Sequence, residues 1–109
     1  MVIQWRDLNK ARYPELALLH AVPNGGHRHK AVAGKLKAEG VEPGVPDLDL
    51  PVARRGFHGL RIEVKAEDGR PSSEQKWWLQ ALGEQGYCAV VKHGADEVIA
   101  TIKWYLEIK

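Results

Sequence analysis

The sequence predicts an α/β fold, in which a small mixed β-sheet is flanked by helices. Residues 47–50 and 59–65 each alternate between polar and apolar side chains, which is typical of strands with one buried face. Residues 87–92 form an apolar run of the length of a buried strand, and a helical pattern precedes it. A strand, a helix and a second strand in succession form a crossover, the repeating unit of α/β proteins.

The predicted elements follow in the order helix, helix, strand, strand, helix, strand, helix. The first helix covers residues 14–22, because proline is tolerated at the first helical position and the acid after it, Glu15, favours the positive end of the helix dipole. Residues 23–26 break this pattern. A second helix is predicted over residues 29–39, with Gly40 as its C-terminal cap.

The remaining elements follow from turn and capping signals. The two alternating strands are neighbours joined by a connection of hairpin length, which contains the turn-like Arg54-Arg55-Gly56. Ser72 and Gln75 match a capping box, which opens a helix that runs to Gly86. The last helix, residues 95–107, carries apolar side chains at helical spacing.

Length and composition indicate one domain, residues 1–109, with a single core. The chain is 44% hydrophobic and 28% charged, as globular domains are, and no apolar stretch approaches the roughly 20 residues of a membrane helix. The N-terminal residues carry no export signal, so we expect a cytoplasmic protein. The single cysteine, Cys88, lies in an apolar run, which predicts a buried structural thiol rather than a nucleophile.

Three charged residues on the two alternating strands form a candidate metal site. Residues two apart in a strand share one face, so Glu63 and Lys65 project together. If the strands pair, Asp47 lies opposite Glu63, with Cβ atoms about 5 Å apart. Two carboxylates with waters and a substrate phosphate are a common magnesium-binding set, and such an ion supports phosphodiester hydrolysis. The alternative is that these residues are ordinary solvated charges on a strand face.

Two polar residues lie on otherwise apolar helical stripes and are candidates for the same site. Gln75 shares its stripe with Trp78, Leu79 and Leu82, although it can equally complete the capping box, and the two roles are compatible. Glu15 falls on the stripe of the first predicted helix. It is either a further metal ligand or an acid placed to favour the helix dipole.

The segment of residues 24–37 carries four lysines and arginines and no acid, which favours a phosphate-binding surface. Arg54 and Arg55 form a possible second patch on the turn between the strands. The predicted DNA-binding residues are Asn24, Arg28, Lys30, Lys35, Lys37, Arg54 and Arg55. A solvated helix face is the alternative for any one of these lysines, and a non-catalytic DNA-binding module is the alternative for the protein.

Several short motifs together resemble the VRR-Nuc (virus-type replication-repair nuclease) domains of the PD-(D/E)xK nuclease superfamily. They are Pro14-Glu15, Pro23-Asn24-Gly25-Gly26, Gly40-Val41, Gly44-Val45-Pro46-Asp47, Ile62-Glu63-Val64-Lys65, Ser73-Glu74-Gln75 and Gly86-Tyr87. The resemblance covers most of the chain. It implies a restriction-endonuclease-like core and a nuclease that depends on Mg²⁺ or Mn²⁺.

The resemblance also implies roles for individual residues. Asp47, Glu63 and the carbonyl of Val64 would bind the metal, and Lys65 would be the catalytic lysine. Glu15, as a further metal ligand, and Gln75 would complete the site.

Stand-alone domains of this phage and bacterial type are similar to homodimeric, structure-selective endonucleases that resolve four-way (Holliday) junctions. The implied partners are therefore branched DNA and a second copy of the chain. No association with a membrane is implied. Two symmetric incisions require two sites, which a two-fold dimer supplies. Flaps, nicks or the ends of linear DNA are alternative substrates.

Overall fold

The computed structural model describes residues 1–23, 34–35 and 37–109. The named elements within these ranges are helix α1 (Val2–Asn9), a 3₁₀ helix (Pro14–Leu18), strands β1 (His20–Ala21), β2 (Leu48–Leu50) and β3 (Leu60–Lys65), helix α2 (Ser73–Glu84), strand β4 (Cys88–His93) and helix α3 (Gly94–Leu106). No helix among the described residues combines the length and the apolar character that crossing a bilayer requires.

The four strands form one mixed sheet in the order β1-β2-β3-β4. β2 is antiparallel to both β1 and β3, whereas β3 and β4 are parallel and are joined through α2. A parallel pair needs a crossover connection, and α2 provides it. The structure confirms the predicted α/β class and the mixed sheet. It also confirms that β2 and β3 are adjacent strands.

The two faces of the sheet differ in chemistry. Leu48, Leu50, Leu60 and Ile62 are buried in one core cluster with Val98, Ile102 and Tyr105 of α3. Asp49, Arg61, Glu63 and Lys65 alternate with the apolar residues and project from the other face. We call this second surface the polar face. α2 begins over the polar face, because its residue Gln75 bonds to Glu63.

The prediction of a helix over residues 14–22 was wrong. Pro14–Leu18 is a short 3₁₀ helix, Leu19 is extended, and His20–Ala21 pairs with β2 as a strand. The apolar side chains that the sequence places on one helical stripe therefore diverge. Leu19 is buried while Leu18 is 51% exposed.

Helix α1 was not predicted. Its N-cap, Met1, makes no side-chain capping bond, so the sequence carries no start signal there. The helix is held by tertiary contacts, since Val2, Ile3 and Trp5 pack against the core. Of the predicted helix over residues 29–39, residues 34, 35, 37 and 38 are helical and the others lie outside the described residues or in the final turn.

Three further predictions were confirmed. Gly40 has a φ of 96°, the left-handed conformation of a helix cap, and its N–H donates to the Lys37 carbonyl at 3.0 Å. The helix opened by the capping box extends over Ser73–Glu84. Cys88 is buried and burial raises the pKa of its thiol, as expected of a structural cysteine.

Candidate active site

The structure places Asp47 and Glu63 against each other. β2 and β3 pair with Leu48 opposite Ile62, so Asp47, which directly precedes β2, lies opposite Glu63. The backbone N–H of Val64 donates a hydrogen bond of 2.8 Å to Asp47 Oδ2. This bond fixes the Asp47 carboxylate to the strand that carries Glu63.

The carboxyl group of Glu63 is enclosed by protein, since only 2% of the residue is exposed. Its Oε2 atom accepts a hydrogen bond of 3.2 Å from Gln75 Nε2 and lies 3.8 Å from Lys65 Nζ. Its Oε1 atom is covered, and no described residue donates a hydrogen bond to it. The two oxygens therefore differ, because Oε2 accepts a hydrogen bond from Gln75 and Oε1 is left without a donor.

The environment raises the pKa of Glu63 from its ordinary value of 4.5 to about 8. Burial is the largest cause, followed by Asp47, whose carboxylate can accept a hydrogen bond from protonated Glu63 and repels the ionised form, while the positive charge of Lys65 acts in the opposite direction. With a pKa of about 8, Glu63 carries a proton at neutral pH. A cation between the two carboxyl groups would replace that proton.

Gln75 fulfils both roles that the sequence left open. Its backbone N–H donates to Ser72 Oγ at 3.2 Å, and its Oε1 atom accepts from the Ser72 backbone N–H at 2.8 Å, which completes the capping box. The amide nitrogen of the same side chain donates to Glu63. The start of α2 is thereby tied to the carboxyl group on β3.

Comparison with known proteins assigns the family of this fold and site. The VRR-NUC domain model matches residues 2–96 of the chain. The chain belongs to the VRR-NUC domain family. A solved structure of a VRR_NUC domain protein is 37% identical in sequence, with a TM-score of 0.73, and the match covers 85% of this chain and 70% of that one. None of the curated proteins matches the chain. A VRR-NUC domain is a nuclease-type domain, and its substrate is DNA.

VRR-NUC nucleases generally depend on a divalent metal ion, and the residues on the polar face fit one. Asp47 and Glu63 supply hard carboxylate oxygens, which Mg²⁺ and Mn²⁺ prefer. The covered Oε1 atom of Glu63 has no described donor, and a cation would give it a partner. No third acidic, histidine or cysteine side chain within the described ranges joins this pair to form a larger cluster.

Glu15 does not join the pair in this structure. It accepts a hydrogen bond of 2.8 Å from Arg54, and its own backbone N–H and then the Arg54 guanidinium hold the pKa of Glu15 below its usual range. β1 runs antiparallel to β2, with Val22 bonded to the Asp47 carbonyl, so the chain before β1 leads away from Asp47. The inward-facing helical stripe predicted for Glu15 does not exist, and its metal-binding role stays a prediction.

The predicted DNA-binding residues occupy different settings. Lys35 and Lys37 are exposed. Arg54 is paired with Glu15, and Arg55 lies over the Trp104 ring, with its guanidinium carbon 4.4 Å from the ring centre. Asn24, Arg28 and Lys30 lie outside the described residues.

Three further polar residues on or beside the polar face were not singled out by the sequence. His20 lies opposite Asp49, and Asp49 lies opposite Arg61. The alternation that places Asp47 and Glu63 on one face also places Asp49 and Arg61 there, so the sequence pattern could have identified these two residues. His20 could not be found in this way, because β1 was predicted as part of a helix.

Proposed function

We propose that this VRR-NUC domain is a structure-selective, metal-dependent endonuclease that hydrolyses phosphodiester bonds in branched DNA. The observation that carries the proposal is the covered Glu63 carboxyl group beside Asp47, with one oxygen held by the Gln75 amide and the other without a donor. A covered carboxyl group that is repelled by a neighbouring carboxylate destabilises the fold, and a site built to hold a cation explains its presence.

Asp47, Glu63 and the carbonyl of Val64 would hold the ion, which when bound polarises the phosphate and lowers the pKa of water. Two side chains of the protein orient the reacting groups. Gln75 fixes Glu63 Oε2 through its amide, so that Oε1 is the oxygen left without a donor. Lys65, whose ammonium lies 3.8 Å from Glu63, can orient an attacking water and offset negative charge that develops on the phosphate.

The preferred substrate within this proposal is the four-way (Holliday) junction, cut by a homodimer. One domain with one site makes one incision at a time, whereas resolution requires two symmetric incisions. A two-fold dimer brings a second site. Trp77 and Trp104 are 63% and 48% exposed and offer aromatic surface for such an interface. Action on DNA also agrees with the cytoplasmic location expected from the sequence.

Cleavage of defined DNA substrates tests the proposal. A four-way junction, a flap and plain duplex are incubated with the protein in Mg²⁺, Mn²⁺ or EDTA, and the protein's mass in solution is measured alongside. We expect metal-dependent, symmetric paired nicks in the junction from a dimer. Cutting of flaps by a monomer would replace the junction with a flap substrate, and binding without any cutting would indicate a non-catalytic DNA-binding module.

Site variants separate the chemistry from the fold. Asp47→Ala and Lys65→Ala are expected to lower cleavage at least about 100-fold while DNA binding in EDTA persists. Lys103→Ala, on α3 behind the opposite face of the sheet, is the matched control and should cut normally. Undiminished cleavage by both site variants would refute the proposed site.

A further inference from the structure

A second set of polar residues lies beside the carboxylate pair on the polar face. The strand registers pair His20 with Asp49 and Asp49 with Arg61. Asp49 and Arg61 are each two residues from Asp47 and Glu63 along their strands, a spacing of about 6.6 Å. We call these three residues, His20, Asp49 and Arg61, the second polar row.

Asp49 lies between two basic side chains. His20 Nε2 is 3.6 Å from Asp49 Oδ2, and Arg61 Nε is 3.5 Å from Asp49 Oδ1. The His20 ring is fixed from its other side by a contact of 2.9 Å between Nδ1 and the Leu18 carbonyl. Asp49 therefore holds two potential phosphate-binding groups in place next to the carboxylate pair.

The Arg61 guanidinium is held but incompletely satisfied. It lies over the Tyr87 ring, with its central carbon 5.8 Å from the ring centre, and 14% of the side chain is exposed. Its Nε atom is covered and has no hydrogen-bond partner among the described residues, because the contact with Asp49 is too long. A covered donor without a partner destabilises a fold, so stability alone does not explain an arginine here.

We propose that Arg61, oriented by Asp49 and Tyr87, binds the DNA phosphate next to the one that is cut and so sets the register of the strand in the site. This inference rests on the proposed nuclease function. A guanidinium matches the geometry of a phosphate through paired N–H donors. Successive phosphates of one strand rise about 3.4 Å along the helix axis and also turn about it, so their separation is comparable with the spacing between the second polar row and the carboxylate pair.

The first test measures DNA binding in EDTA, where no cutting is required. Arg61→Met should bind a four-way junction roughly tenfold more weakly than the unmodified protein. The slope of log Kd against log salt should fall by about 0.9, the value of one lost phosphate contact. Arg61→Lys should recover the slope, and Lys103→Met should change neither quantity. An unchanged slope in a folded Arg61→Met protein would overturn the proposal.

The second test locates the phosphate. One linkage on either side of the cut is replaced by a neutral methylphosphonate, and cleavage is measured with the unmodified protein and with Arg61→Met. At one of the two positions the neutral linkage should slow the unmodified protein about as much as the substitution does, and should slow Arg61→Met little further. Additive losses at both positions would refute the contact.

The two proposals fail in different ways. If the unmodified protein cuts no substrate but its binding depends on Arg61, the nuclease function fails, and Arg61 binds a DNA phosphate without setting the register of a cut. If it cuts and Arg61→Met cuts and binds equally well, the nuclease function stands and the role of Arg61 is refuted. Urea unfolding of each variant shows that the proteins compared are folded.

Discussion

Replacing Glu63 with glutamine should remove a large part of the pH dependence of this domain's stability. The folded pKa of Glu63 is about 8, compared with an ordinary value of 4.5. Between these values the folded state holds a proton that the unfolded state has released. The free energy of unfolding therefore falls as pH rises through this window, and the contribution of Glu63 is complete below pH 4.5.

The size of the effect follows from the same two values. Each pH unit is worth up to about 1.4 kcal/mol, and roughly 3.5 units separate the folded from the unfolded pKa, which gives about 5 kcal/mol as an upper limit. Total stabilities of small domains are about 5–15 kcal/mol, so a change of this size is easily measured. Glutamine keeps the size of the side chain and carries no charge at any pH.

The assay is urea unfolding in EDTA, followed by tryptophan fluorescence between pH 4.5 and 8.5. Glu63→Gln and the unmodified protein should be similar at pH 4.5, and the variant should be more stable by several kcal/mol at pH 8.5. Asp47→Asn should flatten the profile only in part, because burial of Glu63 is the largest cause of its raised pKa and persists in that variant.

Glu67→Gln is the matched control, since Glu67 is an exposed acid just beyond β3. Its profile should run parallel to that of the unmodified protein. The reasoning is refuted if Glu63→Gln also runs parallel, with a stability difference that changes by less than about 1 kcal/mol across the range. That result would mean that Glu63 is as well solvated in the folded state as in the unfolded one.

Three further predictions use the same material. Gln75→Glu keeps an acceptor for the Ser72 N–H but puts a second negative group against Glu63, whereas Gln75→Ala loses the side-chain half of the capping box at a cost of up to about 1 kcal/mol. Cleavage should fall in both variants, and the stability of Gln75→Glu should fall most steeply as pH rises. Tyr105→Phe removes a buried 2.6 Å hydrogen bond to the Val52 carbonyl and should lower stability by about 1–3 kcal/mol, measured in urea, with cleavage changed less than twofold. Mg²⁺ or Mn²⁺ at 100 times its Kd should stabilise the domain at pH 8 by about 2.7 kcal/mol, and a melting temperature that rises equally in Asp47→Asn would place the ion elsewhere.

Local sequence patterns were sufficient to predict the strands and the helix that surround the site. The two alternating stretches and the short connection between them predicted β2 and β3 as neighbours, because a period of two fixes which side chains share a face. Asp47 opposite Glu63 followed from that pairing, and the structure has it. The capping box predicted the start of α2, because its bonds lie between residues three apart in sequence.

Elements held by tertiary contacts were missed. β1 is only two residues long and exists because it pairs with β2, a partner that lies more than twenty residues away in sequence. The stretch before it therefore resembled a continuation of a helix, and Glu15 was placed on a stripe that the structure lacks. α1 lacks a capping side chain and packs against the core through Val2, Ile3 and Trp5.

The sequence by itself determined which acids and which lysine share one face of the sheet, since alternation along a strand is a local property. Only the tertiary structure decided that Glu63 is covered, that its Oε1 atom has no described donor, and that its pKa lies near 8. It also set His20, Asp49 and Arg61 in one row beside that carboxyl group. Desolvation and repulsion between charges depend on distances through space, and those distances arise only when separate strands and helices pack together.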